Sequence, residues 1–238
     1  SECHAQGTLS CLTCHTMHNA DADQRETNDP WNDDQLRVGM RSNKACVNCH
    51  QDYVGEKLTQ HTHHLAESQG SKCYNCHMPH TSYGLLKATR SHQISNPSAQ
   101  ETLQVGRQNA CNNCHVDKTL QWAADRLHTW YGHDKQELPD AHQKISSVVL
   151  ALLTGDAGQR ALAAWALSWE PAREASGDKW QSGILAYSLA DPYDATRWMA
   201  VNSLKKLEAS VDSDLTAQLS TQEAEEIKQM ILSKAESD

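Results

Sequence analysis

Eight of the nine cysteines in this 238-residue chain fall into four pairs, and every pair is followed directly by a histidine. The pairs are Cys11-Leu-Thr-Cys14-His15, Cys46-Val-Asn-Cys49-His50, Cys73-Tyr-Asn-Cys76-His77 and Cys111-Asn-Asn-Cys114-His115. No other feature limits the fold so tightly, because C-x-x-C-H is the attachment signature of c-type haem. Two thiols on one short turn add to the two vinyl groups of a porphyrin, and the next residue is carried beneath the ring as the proximal iron ligand. CxxC pairs also build zinc sites and, in exported proteins, disulfides. Neither alternative accounts for a histidine after every pair. There are 14 histidines in 238 residues, so four out of four by composition alone has a chance on the order of one in 10⁵.

The ninth cysteine extends the pattern. Cys3-His4 has the form of the last two residues of a fifth motif, with Ser1 and Glu2 as its spacers and its first cysteine immediately before Ser1. A stray thiol or an intermolecular disulfide is the alternative. The expected cofactor is therefore haem c at four complete sites and a fifth at Cys3 and His4. The attachment residues are Cys3, Cys11, Cys14, Cys46, Cys49, Cys73, Cys76, Cys111 and Cys114. If Cys3 is the one thiol available at the fifth site, that haem hangs by a single thioether.

Composition agrees with a large apolar cofactor. Hydrophobic residues make up 38% of the chain, Phe is absent, and mean hydropathy is -0.70. A core of side chains alone would be thin, and haem macrocycles offer broad apolar faces to fill it. The net charge of -9 argues against nucleic acid as a partner, which calls for a basic face. It favours steering toward basic patches on redox partner proteins. No stretch approaches the roughly 20 apolar residues of a membrane span. The opening Ser1-Glu2-Cys3-His4 has no apolar leader. Since bacterial haem is attached to CxxCH outside the cytoplasm, the expectation is an exported protein, periplasmic or extracellular, whose chain is a mature form or a fragment.

Five histidines are proximal ligands by this reading: His4, His15, His50, His77 and His115. Of the nine others, six lie among the motifs: His18, His61, His63, His64, His80 and His92. Five bis-histidine irons need five distal ligands, and the five expected are His18, His61, His64, His80 and His92. His18 and His80 each follow a proximal histidine by three residues, on the same side of a helical turn, and are placed to ligate a neighbouring haem. His61 and His64 are three apart and could face one way, leaving His63 pointing elsewhere. His128, His133 and His142 lie outside the haem segment and are read as surface residues. Met17, Met40 and Met78 are weaker candidates. An all-histidine set implies low potentials, because methionine ligation raises them.

Residues 1–131 resemble the multihaem c-type cytochromes of bacterial respiration. The resemblance rests on His61-Thr-His-His64 with Gly70-Ser-Lys-Cys73-Tyr-Asn-Cys76-His77-Met-Pro-His80. It rests also on Arg107-Gln-Asn-Ala-Cys111-Asn-Asn-Cys114-His115 running into Trp122 and Trp130-Tyr131-Gly132. It implies bis-histidine haems stacked closely enough for rapid transfer between irons, and a carboxy-terminal helical-repeat region. The pentahaem nitrite reductases are more distant kin; their catalytic haem typically has a lysine in the motif, and no CxxCK occurs here.

After His115 there are no further cysteines, and helical periodicity takes over. Leu120, Ala123, Ala124, Leu127 and Trp130 mark a helix over 118–131, and residues 132–139 read as a linker. Further helices are expected near 142–154, 157–169, 179–190, 192–207 and 221–235. Asp191-Pro192 reads as a helix start, and Ser220 with Glu223 as a capping box. Leu150-Ala151, Arg160-Ala-Leu-Ala163 and Leu167 parallel Leu185-Ala186, Arg197-Trp-Met-Ala200 and Leu204, at an offset close to that of HEAT-like repeats. The surface of this module is either a docking face or a cover for the haem domain. Trp165, Trp169, Trp180 and Trp198 are read as core residues.

The expected fold is mainly α. A loop-rich multihaem cytochrome c domain (1–132) wraps stacked haems, and an all-α HEAT-like domain (140–238) follows. The expected function is electron transfer along closely spaced haems, not enzymatic turnover, with other multihaem cytochromes or copies of itself as partners, within an oligomer or extracellular filament. The alternative is a reductase of nitrogen or sulfur oxyanions with one open haem. A redox sensor is a third reading that no residue singles out.

Overall fold

A computed structural model describes residues 2–5, 7–17, 34–84, 86–208 and 215–235. Over them the chain is mainly helical. It divides into two compact units, Ser1–Met78 with His92–Ser95, and Pro79–Ser91 with Asn96–Asp238. The motif that runs from Cys111 to His115 belongs to the second unit.

The first unit is built from short helical turns, most of them centred on cysteine motifs. Its helices are Glu2–Ala5, Cys11–Cys14, Lys44–Val47, Glu56–Thr62 and Cys73–His77, with a 3₁₀ turn at Gln69–Ser71. Leu58 is the one large apolar side chain buried among its described residues, while Leu12, Met17, Val38, Val54 and Leu65 are each more than half exposed. Polar contacts do much of the tying. Asn43 donates from Nδ2 to the Ser71 carbonyl at 2.7 Å and accepts from the Cys73 amide at 3.0 Å. Tyr74 donates its hydroxyl to the Arg41 carbonyl at 2.8 Å.

The second unit has an ordinary apolar core. It opens with an antiparallel hairpin, His80–Gly84 paired with Lys87–Arg90, in which His80 lies opposite Arg90 and Tyr83 opposite Ala88. Helices Ala99–Val105, Ala110–Cys114 and Leu120–Tyr131 follow. The last has the expected face: Leu120, Ala123, Ala124 and Leu127 are buried, and Trp130 is not. Thr119 caps its first turn by accepting from the Trp122 amide, and Gly132 ends it at φ 70°, a left-handed conformation that glycine adopts without strain. The expected linker after Gly132 is pinned back on this helix. Gln121 donates to the Gln136 carbonyl and accepts from the Leu138 amide, and Leu138 is buried.

Beyond residue 139 the helices are Asp140–Lys144, Ser147–Thr154, Ala157–Ala166, Glu170–Ser176, Gln181–Ala186, Asp194–Lys206 and Thr221–Ala235, with a 3₁₀ turn at Tyr187–Ala190. The helix expected over 142–154 is broken at Ile145, which is extended, because the Ser146 hydroxyl caps a new start at the Val149 amide. The helix expected to open at Pro192 begins at Asp194. The Asp191 carboxylate is taken by Arg160 and by the Tyr193 amide, so it caps a turn ahead of the helix. A helix at Glu170–Ser176, with proline in its first turn, was not expected. The Ser220–Glu223 capping box is present, each residue bonding the other's backbone amide at 2.8 and 3.2 Å.

Helices Ala157–Ala166 and Asp194–Lys206 pack tightly, with Ala161, Ala164, Leu167, Ala200 and Leu204 buried to 1% or less. The Ser203 hydroxyl reaches the Ala164 carbonyl at 2.8 Å across this pair. Trp165, Trp169 and Trp180 lean on the core as expected. Trp198 does not; it is 37% exposed, since Met199 and Ala200, next along the helix, take the inward face. Among the described residues no helix is long and apolar enough to cross a membrane.

Candidate haem-binding sites

In each complete motif the residues between the first cysteine and the histidine close one helical turn. The amides of His15, His50 and His115 donate to the carbonyls of Cys11, Cys46 and Cys111, each at 2.9 Å. Cys73–His77 is helical throughout. Residues i, i+3 and i+4 share one face of such a turn. Two sulfurs and one imidazole are thereby gathered on the same side, as attachment of one porphyrin demands.

The rings of three motif histidines are oriented by main-chain carbonyls. Nδ1 of His4 donates to Leu9 O at 2.8 Å, that of His15 to Asp34 O at 2.7 Å, and that of His77 to Ser95 O at 3.0 Å. A carbonyl oxygen only accepts, so each ring carries its proton on Nδ1, which leaves the lone pair of Nε2 able to bind a metal. The supporting residues are braced in turn. Asp34 accepts from the Leu36 amide and pairs with Arg41 at 2.6 Å, while His15 forms a β-bridge to Leu36. Ser95 also donates its amide to the His77 carbonyl at 3.1 Å.

Two motif histidines each face a histidine from outside the motifs. The ring centroids of His61 and His77 are 6.1 Å apart with planes 8° from parallel, and those of His15 and His92 are 6.0 Å apart at 33°. An iron between two imidazoles, with metal–nitrogen bonds of about 2.0 Å as for other first-row metals, separates the centroids by roughly 6.3 Å. Both pairs fit that span. Among the described residues no group of three or more His, Cys, Asp or Glu converges as a metal cluster. Paired imidazoles are the donors that a porphyrin, with four nitrogens of its own, would leave for the protein to supply.

The other expected ligands are placed as follows. His18 lies outside the described residues. His64 is off the helix that carries His61, because the chain leaves that helix through His63 in a left-handed conformation (φ 56°); the shared face expected from their spacing does not form. Its Nδ1 donates to the Thr62 carbonyl at 2.6 Å, and its ring lies against Gly70, where a Cβ would fall 2.2 Å from the imidazole. His80 does not share a helical face with His77 either. Pro79 stops the turn, with Met78 before it driven out of the helical region (φ −133°, ψ 58°), and His80 opens a strand. Its Nδ1 donates to Ala88 O at 3.3 Å, and burial, followed by the Arg90 charge, lowers its pKa to about 4. His115 packs on Trp122 at 4.9 Å. Tyr53 lies 6.5 Å from His50 and 4.7 Å from His61. Burial and the neighbouring His77 and His63 lower the pKa of His61.

Of the three histidines read as surface residues, His128 is exposed, and its Nδ1 donates to the His133 carbonyl at 2.7 Å. His142 is half-buried, and its Nδ1 is buried without a hydrogen bond.

The thiols report how closely two motifs approach. The Cys46 and Cys73 thiols are near enough to act on one another; this interaction is the main reason that the Cys73 thiol is held down at about 7 and the Cys46 thiol is raised. Burial pushes Cys76 up to about 11 and raises Cys14. The residues that sequence reasoning missed are Leu9, Asp34, Asn43, Gly70 and Ser95. Four of the five act through the main chain or the lack of a side chain, so residue type gives no sign of them.

Compared with known proteins, the chain matches no family model, no curated protein and no solved structure.

Proposed function

We propose that this chain is a multihaem c-type cytochrome that passes electrons along bis-histidine haems. The observation that carries the reading is the pairing of His77 with His61 and of His15 with His92 at the span of an imidazole–iron–imidazole unit. Each pair joins one CxxCH histidine to one remote in sequence, which neither a disulfide nor a zinc reading of the cysteines calls for.

When bound, haem supplies the one-electron iron couple. The chain's own residues do the rest. Cys11 and Cys14, Cys46 and Cys49, Cys73 and Cys76, Cys111 and Cys114 tether the groups, and Cys3 with His4 provides a fifth site. The carbonyls of Leu9, Asp34 and Ser95 fix the proximal tautomers and raise ligand basicity. Histidine on both sides would keep potentials low and would leave no iron face for substrate, which is why electron transfer is preferred to oxyanion reduction. The exposed apolar side chains of the first unit suit a fold that wraps porphyrin faces. The helices after residue 139 are read as a short HEAT-like module, supported by the packing of Ala157–Ala166 on Asp194–Lys206. Attachment of haem through CxxCH entails export, and the acidic chain suits basic redox partners.

The test is the haem count of the purified protein, by mass and by the alkaline pyridine spectrum, together with electron paramagnetic resonance of the oxidised form. Five haems, all low-spin, are expected. A chain that carries no covalent haem ends the reading. One high-spin haem opens an iron face and shifts it to the reductase class.

A further inference from the structure

His80 is held from two directions by parts of the second unit that lie far from it along the chain. Its ring lies 4.6 Å from Trp165, tilted by 44°, and 5.3 Å from Trp169, edge-on at 68°. The two indoles are themselves 5.1 Å apart and rest against the apolar core of the helical region. Its main chain is fixed as well, because the side chain of Asn113, a buried residue between Cys111 and Cys114, donates to the His80 carbonyl at 3.3 Å.

We propose that Trp165 and Trp169 are positioning residues for His80 as an axial haem ligand, so that the helical region takes part directly in setting one haem's ligation. The inference rests on the haem reading above and adds to it a role for the carboxy-terminal helices. Three features support it. The hydrogen bond to Ala88 O puts the ring proton on Nδ1 and leaves the Nε2 lone pair for a metal. Among the described residues Nε2 makes no hydrogen bond. Two indole walls on one imidazole restrict rotation of its plane, and the plane of an axial imidazole is what a second shell governs in a metal site. A histidine that merely fills an aromatic hole needs no such restraint on its plane.

The experiment uses the full-length holoprotein and three changes: His80→Gly, the pair Trp165→Leu with Trp169→Leu, and the pair Trp165→Phe with Trp169→Phe. Haem content is measured first, then resonance spectra and a potentiometric titration. The expectation is an unchanged haem count throughout. His80→Gly converts one haem per chain from low-spin to high-spin, and added imidazole restores it. The leucine pair keeps that haem low-spin but moves its g-values and midpoint potential, and the phenylalanine pair returns both toward the wild-type values. If the leucine pair does not accumulate, the single leucine variants are read in the same way. All haems remaining low-spin in His80→Gly overturns the ligand role, and an unmoved spectrum and potential in the leucine variants overturns the positioning role. Absence of covalent haem in the wild-type protein is a different result, and it defeats the underlying reading.

Discussion

His61 and His77 face each other with ring planes 8° from parallel and centroids 6.1 Å apart. The separation is close to the roughly 6.3 Å that two imidazoles sharing an iron would show. His61 sits in the last turn of Glu56–Thr62, and His77 ends Cys73–His77. Replacing His61 by methionine keeps two ligands but exchanges imidazole for thioether. On the proposed haem reading, one haem should then rise in potential, by a share of the ~0.8 V that axial ligands span, and stay low-spin. Potentiometric titration against the wild type reads this out, and unchanged midpoints would separate His61 from any iron.

The segment His92–Ser95 returns to the first unit and serves two sites. His92 faces His15, while the Ser95 carbonyl orients His77. On the proposed haem reading, removing the His92 side chain with His92→Ala should therefore open the haem carried by Cys11 and Cys14, giving one high-spin centre. The Ser95 carbonyl survives that change, so the haem of Cys73 and Cys76 should remain low-spin. Resonance spectra of the oxidised protein, with imidazole added back to recover the lost ligand, check both halves of the expectation.

Much of this was legible in the sequence because it is local. Cysteines at i and i+3 and a histidine at i+4 share a face wherever a turn closes, and four motifs close one. The helical face of Leu120, Ala123, Ala124 and Leu127 was readable for the same reason. Spacing failed where the turn stops. His64 lies past a left-handed His63, and His80 lies past Pro79, so neither keeps the helical relation to the histidine before it. The partners of the motif histidine rings were unreadable for another reason. Any residue offers a carbonyl, and only the folded chain selects those of Leu9, Asp34 and Ser95. The same holds for Ser146, which breaks a continuous helical pattern because its hydroxyl caps at Val149 and donates to Val116 O at 2.5 Å.

Gly70 tests whether the His64 ring needs its present place. A Cβ there would meet the ring at 2.2 to 2.8 Å, nearer than such contacts occur. The ring is tied to Thr62 O and has little freedom to withdraw. Gly70→Ala should cost about 1–3 kcal/mol, in the range of overpacked sites, measured by denaturant unfolding. If His64 is a ligand, the same change should also shift the spectrum of one haem; a stability loss with every haem spectrum intact would leave His64 with a packing role alone.

The helical unit is locked by a charge pair between two elements. Arg160 in Ala157–Ala166 donates from Nε and Nη2 to both carboxylate oxygens of Asp191, at 2.7 and 3.0 Å, and Arg197 donates to the Asp191 carbonyl at 2.7 Å. These are the two arginines that sit at matching places in the apparent repeat. Burial works to raise the Asp191 carboxyl, but the Arg160 guanidinium, the Tyr193 amide and the Arg197 charge together hold it below the ordinary carboxylate value. A carboxyl depressed in the folded state contributes stability that is full above its unfolded pKa of about 3.9 and is lost as pH falls through the folded value. Asp191→Asn should therefore cost about 2 kcal/mol near neutral pH, as loss of a charged hydrogen bond does. The gap between variant and wild type should narrow below about pH 4, where the wild-type carboxylate takes up its proton. Urea unfolding from pH 3 to pH 7 measures the gap, and a difference that stays constant over that range would show that Asp191 acts through shape and not through charge.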